Sequence, residues 1–183
     1  ASAHGDLAIN DYMCATLASE PTLLSPTKFH NSVHNAAVGY WTIGTGCMAS
    51  SNSVSSFEAT FAAGLLEAAA QCACDQQAVL LTGFDVQAVG PLASAVHSEG
   101  MLAAAMVIAP QRTERSVAAF EWSLASGPVQ PLAFQSDAAR ALKGNSLADA
   151  LPLYEALAGG GDAQLVLPLS ERLALRLSLR ALS

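Results

Sequence analysis

Charged side chains are scarce in this sequence, and cationic ones are absent from a long internal stretch. Only 13% of the 183 residues are charged, whereas 52% are hydrophobic, and the net charge is −7. No lysine or arginine occurs between Lys28 and Arg112. Because nucleic-acid binding depends on clustered cations that contact phosphates, nucleic acid is not expected as a partner. The low charged fraction also indicates that some apolar surface is buried against another protein.

Long hydrophobic runs are absent as well. The longest, MLAAAMVIA at residues 101–109, is far shorter than the roughly 20 residues that span a bilayer. The first residues do not show the basic-then-apolar pattern of a signal peptide. We therefore expect a cytoplasmic protein with no membrane segment, and we leave open whether native residues precede Ala1.

The cysteines and histidines do not form a recognisable metal-binding pattern. The four cysteines are Cys14, Cys47, Cys72 and Cys74, and the last two would lie on different faces of a helix. No zinc-finger spacing occurs. We interpret the cysteines as buried reduced thiols, and we expect no metal and no cofactor.

Apolar periodicity predicts a layered α/β domain over residues 1–183. The predicted helices span 6–19, 31–44 with an interruption near Gly39, 57–74, and 145–161 with Pro152 at a kink or a late first turn. The predicted strands span 51–56, 78–86, 101–110, 115–127, 163–170 and 172–182. Helix 57–74 is apolar on nearly every face, and strand 78–86 has the pattern of a central strand covered on both faces. The expected fold class is α/β, with a mixed sheet sandwiched between helices in α/β/α layers.

Three consecutive segments resemble the N-terminal half of a β-ketoacyl synthase. They are SPTKFHNSVHNAAVGYWTIGTG (25–46), the small strand with the apolar helix (52–74), and AVLLTGFD (78–85). The sequence is similar in particular to the ketosynthase-like N-terminal domain found beside bacterial aryl polyene clusters, which acts like a chain-length factor. The resemblance covers roughly residues 1–110, and it implies a thiolase-like half as the fold.

The resemblance places Glu58 where the family carries its nucleophilic cysteine. In the family, a helix N-terminus stabilises the cysteine thiolate at this position. The segment SVSSFEATFAAGLLEA (53–68) matches this strand–nucleophile–helix region. Glu58 is then a first-turn carboxylate stabilised by the helix dipole, by about 0.3–1 kcal/mol, a polar replacement in an inactive site, or a group that promotes malonyl decarboxylation.

The histidines that a condensing enzyme needs have no counterpart here. The chain has only His4, His30, His34 and His97, and none lies in an HGT-like motif. The resemblance therefore implies a non-catalytic, chain-length-factor-type subunit that forms a heterodimer with an active ketosynthase and shapes its acyl tunnel. The alternatives are a malonyl decarboxylase or acyltransferase that uses Glu58 or a cysteine, and an acyl-chain binding protein.

The resemblance also suggests which side chains contact the acyl chain or the partner subunit. The tunnel and interface candidates are Phe29, His34, Asn35, Tyr40, Trp41, Met48, Ser55 and Ser56. Aromatic core residues and a hydrogen-bonded His34 are the structural alternatives. Segment 51–56 is expected to pair antiparallel with its counterpart across a two-fold axis.

Docking of acyl carrier protein is expected mainly on the partner, because residues 29–111 lack cations. Arg172, Arg176 and Arg180 form an alternating cationic stripe further along the chain. A solvated strand face or ion pairs explain this stripe as well as carrier docking does.

Overall fold

The computed structural model describes residues 1–182, in which four α-helices are followed by three strands, two further α-helices and two final strands. The helices are α1 (Leu7–Ser19), α2 (Pro26–Asn31), α3 (Ala36–Thr45), α4 (Thr60–Asp75), α5 (Asp137–Ala141) and α6 (Leu151–Gly159). The strands are β1 (Val79–Asp85), β2 (Leu102–Ile108), β3 (Ala118–Ser126), β4 (Ala163–Pro168) and β5 (Leu173–Ala181). Within these residues, no helix combines the length and the apolarity needed to cross a bilayer. The expected α/β class is confirmed.

The strands form two sheets. β1 pairs with β2, with Val79 opposite Ile108, and β5 lies between β3 and β4. Every pairing in the described part of the chain is antiparallel, whereas the sequence predicted a single mixed sheet. β4 and β5 are joined by residues 169–172 alone, and so short a connection permits only antiparallel pairing.

Helix α4 supplies the centre of the hydrophobic core. Phe61, Leu65 and Cys72 follow a helical spacing and join one buried cluster with residues of both sheets and of α6. Phe61 and Leu65 are fully buried, and each such side chain stabilises the fold by about 1.5–3 kcal/mol. Burial extends around nearly the whole helix as far as Cys72, as its apolar composition predicted.

The helix predicted over 31–44 is divided differently. α2 begins at Pro26, capped by the Ser25 hydroxyl, and ends at Asn31. α3 begins at Ala36 and continues through Gly39 without a break. A glycine inside a helix costs only about 1 kcal/mol, so Gly39 need not interrupt it. Gly46, with φ of 65°, ends the helix instead.

Two strand predictions were wrong. Segment 51–56 is not a strand in this structure, since its small polar side chains bury little area and a strand needs a pairing neighbour. Strand β1 is covered on one face only: Leu81 and Gly83 are buried, while Leu80 and Thr82 are exposed. The outward face of β1 therefore remains apolar and partly uncovered.

The prediction for Pro152 is confirmed, whereas the prediction for the cysteines is mostly wrong. Pro152 lies in the first turn of α6, where its missing N–H leaves no hydrogen bond unmade, so the late first turn is confirmed. The interpretation of the cysteines as buried holds only for Cys72, because Cys14, Cys47 and Cys74 are exposed. Burial raises the pKa of the Cys72 thiol.

Candidate functional site

Glu58 lies in a sharp turn that leads into α4. It occupies a short 3₁₀ turn, Phe57–Ala59, and its side chain is exposed. Phe57 has a φ of 49°, in the left-handed region that bulky residues rarely adopt, and its side chain is 81% exposed. Strained backbone of this kind persists where the surrounding structure enforces it, and it is frequent at functional sites. We call residues 56–60 the elbow.

The hydroxyl of Thr60 closes the elbow. Thr60 is fully buried. Its Oγ1 accepts a hydrogen bond from the Ser56 N–H at 2.9 Å and donates one to the Phe57 carbonyl at 2.7 Å. One side chain therefore binds the backbone on both sides of the turn. Thr60 is not among the site residues predicted from the sequence, although a hydroxyl residue at a helix start is a recognisable capping signal.

A distant carboxyl group caps the start of α4. Ala59, the residue before the helix, has no side chain that can cap it. Instead, Asp149 Oδ2 accepts a hydrogen bond from the Ala62 N–H at 3.0 Å, where the helix dipole favours a negative charge. Burial nevertheless raises the pKa of Asp149 to about 7, and its Oδ1 is buried without a hydrogen-bond partner. The capping carboxyl group is therefore easily protonated.

The N-terminal residues are held by side chains from three parts of the chain. Buried Asp85 accepts hydrogen bonds from the Ser2 hydroxyl at 2.7 Å and the Ala3 N–H at 2.9 Å. His34 Nε2 lies 2.6 Å from the Ser2 carbonyl, and the Ser55 hydroxyl donates to the Ala3 carbonyl at 2.9 Å. In this arrangement His34 and Ser55 act as structural hydrogen-bonding groups.

We call residues 1–3, held by these hydrogen bonds, the N-terminal anchor. A large cavity lies beside it. Its volume is about 770 Å³, and it is bounded by α3, segment 47–54, α4 and β1. Of the eight tunnel and interface candidates, His34, Trp41 and Met48 line it. Trp41 is 54% exposed and Met48 is 96% exposed, so this wall is open to solvent. Glu58 does not line the cavity.

The remaining candidates lie elsewhere. Phe29 and Tyr40 are exposed, and the Tyr40 hydroxyl donates a hydrogen bond to Asn31 Oδ1 at 2.7 Å. Asn35 stands at the start of α3 without a capping bond, and Ser56 belongs to the elbow. The structure thus distributes the candidates among the cavity, the N-terminal anchor, the elbow and the exposed α2–α3 surface.

Two further polar residues, His97 and Arg180, lie on the exposed surface opposite carboxylates. Residues 1–182 contain no cluster of three or more His, Cys, Asp or Glu side chains able to hold a metal ion. His97 faces Glu99 at 3.6 Å on the exposed surface. In the cationic stripe, Arg180 forms an exposed ion pair with Glu121 at 3.2 Å. Ion pairing was one of the explanations that the sequence offered for this stripe.

The strand pairing, the central helix and the elbow before it define the N-terminal half of a thiolase-type fold. The family model for "Beta-ketoacyl synthase, N-terminal domain" matches residues 1–165. The chain belongs to this family.

One solved structure is similar over nearly the whole chain. It is described as a ketosynthase (ApeO) in complex with its chain length factor (ApeC) from Xenorhabdus doucetiae. The match covers 97% of this chain with a TM-score of 0.70 and 24% sequence identity. Our chain spans 66% of the length of the matched chain. No curated protein matches the sequence.

Proposed function

We propose that this chain is a non-catalytic, chain-length-factor-type subunit that pairs with an active β-ketoacyl-carrier-protein synthase. In this role it shapes the acyl tunnel of the pair during the synthesis of a polyene or a fatty-acid-like chain. The observation that carries the proposal is the residue at the elbow. The resemblance places Glu58 at the family's cysteine position, and a carboxylate cannot form the acyl thioester that a cysteine thiolate forms.

The histidines support an inactive site. A condensing site needs imidazoles that face the nucleophile. His34, however, hydrogen-bonds to the Ser2 carbonyl, and His97 faces Glu99. The elbow carries an exposed carboxylate where the resemblance places a thiol, which favours a role in shaping the site over a role in chemistry.

Exposed apolar side chains support an obligate partner. Tyr40 and Trp41 are more than half exposed, and Ile43 and Phe57 each have 81% of their area exposed. Large exposed patches of this kind mark protein–protein contacts. The partner we propose is a ketosynthase, because the similar solved structure is a ketosynthase with its chain length factor.

The acyl carrier protein would dock mainly on that partner. Carrier recognition by positive potential needs cations, and residues 29–111 contain none. Arg180 is already paired with Glu121, which leaves the cationic stripe with less free charge for docking.

Co-expression tests the proposed function. The chain is expressed with each ketosynthase encoded beside it, and a tag on this chain alone is used for purification. We expect one ketosynthase to co-purify in a 1:1 ratio and the pair to extend a carrier-bound acyl chain. If the chain alone turned over malonyl-carrier substrate, the decarboxylase alternative would replace this proposal.

A further inference from the structure

Strand β3 forms one edge of its sheet in the part of the chain that the structure describes. It is nine residues long and contains neither proline nor lysine, and its single charged residue is Glu121. Natural edge strands are usually short or carry lysine or proline, because a long regular edge pairs readily with another strand. Strand β4, at the opposite edge, follows this rule, since it has six residues and ends at Pro168. The β3 edge therefore lacks the features that prevent strand pairing.

The hydrogen bonds of β3 show which of its backbone groups point away from the sheet. The ladder with β5 continues beyond both ends of the strand. At one end the Leu182 N–H donates to the Val117 carbonyl at 3.4 Å, and at the other the Gly127 N–H donates to the carbonyl of residue 172 at 2.9 Å. Bonded and non-bonded pairs alternate along an antiparallel ladder. Odd-numbered residues of β3 therefore bond to β5, and even-numbered residues from 118 to 126 direct their N–H and C=O groups to the outer edge.

The same even-numbered positions carry the apolar side chains of β3. Phe120, Trp122 and Leu124 lie opposite leucines of β5 and share their face of the sheet. Those leucines are buried, whereas Trp122 is 37% exposed and Leu124 is 52% exposed. The core thus covers β5 fully and β3 only in part. Outward backbone groups and exposed apolar side chains occur together along this edge.

The sequence of β3 is complementary to itself in the antiparallel direction. A two-fold axis through Trp122 would place small residues opposite small ones, apolar opposite apolar, and the one charge opposite a hydroxyl. The pairs are Ala118 with Ser126, Ala119 with Ala125, Phe120 with Leu124, and Glu121 with Ser123. All five even-numbered residues then meet in hydrogen-bonded pairs, which use the outward backbone groups.

Neighbouring registers fit less well. A two-fold axis through Glu121 would place that carboxylate opposite its own copy, and like charges directly opposite each other are destabilising. An axis through Ser123 would leave the first two residues of β3 outside the paired region. The axis through Trp122 is therefore the register that pairs the whole strand without opposing charges.

We infer that two copies of this chain pair through β3, antiparallel about a two-fold axis at Trp122, and join their three-stranded sheets into one. The contact places the two Trp122 side chains next to each other and covers Leu124 with Phe120 of the second copy. A contact between two single strands is smaller than a standard interface of about 1,600 Å², so this pairing is weaker than the proposed contact with a ketosynthase. It does not depend on that contact, which we place on α3 and the elbow.

Disulfide trapping tests both the pairing and its register. Glu121→Cys and Ser123→Cys are prepared separately in the full chain, with tags of different length and with the exposed cysteines, Cys14, Cys47 and Cys74, replaced by serine. In the inferred register the two added thiols face each other in a non-hydrogen-bonded pair, with Cα atoms about 4.5 Å apart, which a disulfide can join. Thiols of the same variant would lie diagonally, about 7–8 Å apart, too far for a disulfide without backbone movement.

The two variants are mixed and oxidised with oxidised glutathione. We expect the mixed dimer to form about tenfold faster than either self-linked dimer, because only the mixed pair has the geometry of a disulfide. The matched control is a mixture of Gln164→Cys and Val166→Cys, which lie at the same two levels of the sheet on β4, and it should show no such excess. Adding Trp122→Lys to both test variants places two ammonium groups opposite each other and should abolish the excess, whereas Trp122→Phe should keep it.

Three results would overturn the inference. Equal rates for the mixed and self-linked dimers would indicate random collision. Faster formation of one self-linked dimer would indicate an axis through Glu121 or Ser123. If no dimer were trapped, β3 would not pair with a second copy, and the edge would be left for a strand of another protein. None of these results affects the co-purification of a ketosynthase, so the two proposals fail separately.

Discussion

At the start of α4, buried Thr60 and half-buried Asp149 hold the backbone that carries Glu58. Thr60 bonds both sides of the elbow, and Asp149 caps the helix from another part of the chain. Neither residue contacts solvent freely, so each bond is made where an unpaired partner would be costly. The hydrogen bonds of Thr60 and Asp149 therefore fix the position of Glu58.

Replacing Thr60 should destabilise the fold through the elbow. Thr60→Val keeps the shape of the side chain but leaves the Ser56 N–H and the Phe57 carbonyl without their partner. We expect a loss of about 1–3 kcal/mol in the free energy of unfolding, measured by urea denaturation. Thr60→Ser, which keeps the hydroxyl, is the matched control and should lose less. Equal stability of Thr60→Val and the wild type would contradict the role of the hydroxyl.

The raised pKa of Asp149 predicts a pH-dependent stability. Because the pKa of Asp149 in the folded state, about 7, exceeds its ordinary value of 3.8, the folded state binds the proton more tightly. The stabilising contribution is complete below pH 3.8 and is lost as the pH rises to about 7. The difference corresponds to at most about 4 kcal/mol.

Asp149→Asn keeps an acceptor for the Ala62 N–H and removes the charge. We expect its melting temperature to exceed that of the wild type by a margin that grows between pH 4 and pH 7. Asp75→Asn, at the exposed end of the same helix, is the control and should show no such growth. A margin independent of pH would refute the assignment.

Glu58 itself should be dispensable for product formation. Under the proposed function, Glu58→Ala leaves the turnover of the assembled complex within a few-fold of the wild type, because the proposed subunit takes no part in the chemistry. Product is quantified by mass spectrometry, with assembly checked by gel filtration and Glu67→Ala as the control. A loss of several orders of magnitude with assembly intact would show that Glu58 takes part in the chemistry.

At the scale of elements, segment 51–56 and strand β1 have backbone groups that the described chain does not pair. Segment 51–56 is irregular, and β1 is bonded to β2 along one edge and to Ala1 at a single point of the other. Strand propensity alone cannot order such segments, because a strand is stable only when a neighbour accepts its hydrogen bonds. Their order therefore depends on what lies beside them.

Segment 51–56 should become protected when the proposed partner binds. We expect the amides of residues 52–55 to exchange quickly in the chain alone and at least tenfold more slowly in the complex, since pairing across the two-fold axis supplies their bonds. Exchange mass spectrometry measures this, and β5, central in its sheet, is the internal control. Unchanged exchange of 52–55 in a complex that forms would refute strand pairing as the contact.

At the scale of the whole molecule, exposed apolar area and few charges occur together. The exposed large hydrophobic residues include Phe29, Tyr40, Trp41, Ile43, Met48 and Phe57, and only 13% of the chain is charged. A surface of this composition is poorly solvated in a monomer. The molecule is therefore expected to be stable mainly as part of an assembly.

The chain expressed alone should not persist as a stable monomer. Obligate interfaces commonly bury about 2,000 Å² or more, and exposed apolar area costs about 25 cal/mol per Å². Analytical ultracentrifugation should show association or aggregation at micromolar concentration, and a defined heterodimer with the ketosynthase. A well-behaved monomer under these conditions would contradict both the interface and the proposed function.

The sequence by itself determined the family, the α/β class and the main elements. Helix α4, strands β1 and β2 and the late start of α6 follow from apolar spacing and proline placement, which are local properties. The position of Glu58 before α4 was also predictable, because it rests on a contiguous segment.

Only the tertiary structure decided how these elements are supported. Asp149 and Ala62 are 87 residues apart. No local sequence pattern predicts that Asp149 caps helix α4, which contains Ala62. The same holds for Asp85 with Ser2, and for the absence of a strand at 51–56. Hydrogen bonds between distant segments depend on where the whole chain places them, and strand formation depends on a neighbour. Local sequence therefore specifies the helices and strands, whereas long-range hydrogen bonds and strand pairing are decided by the tertiary structure.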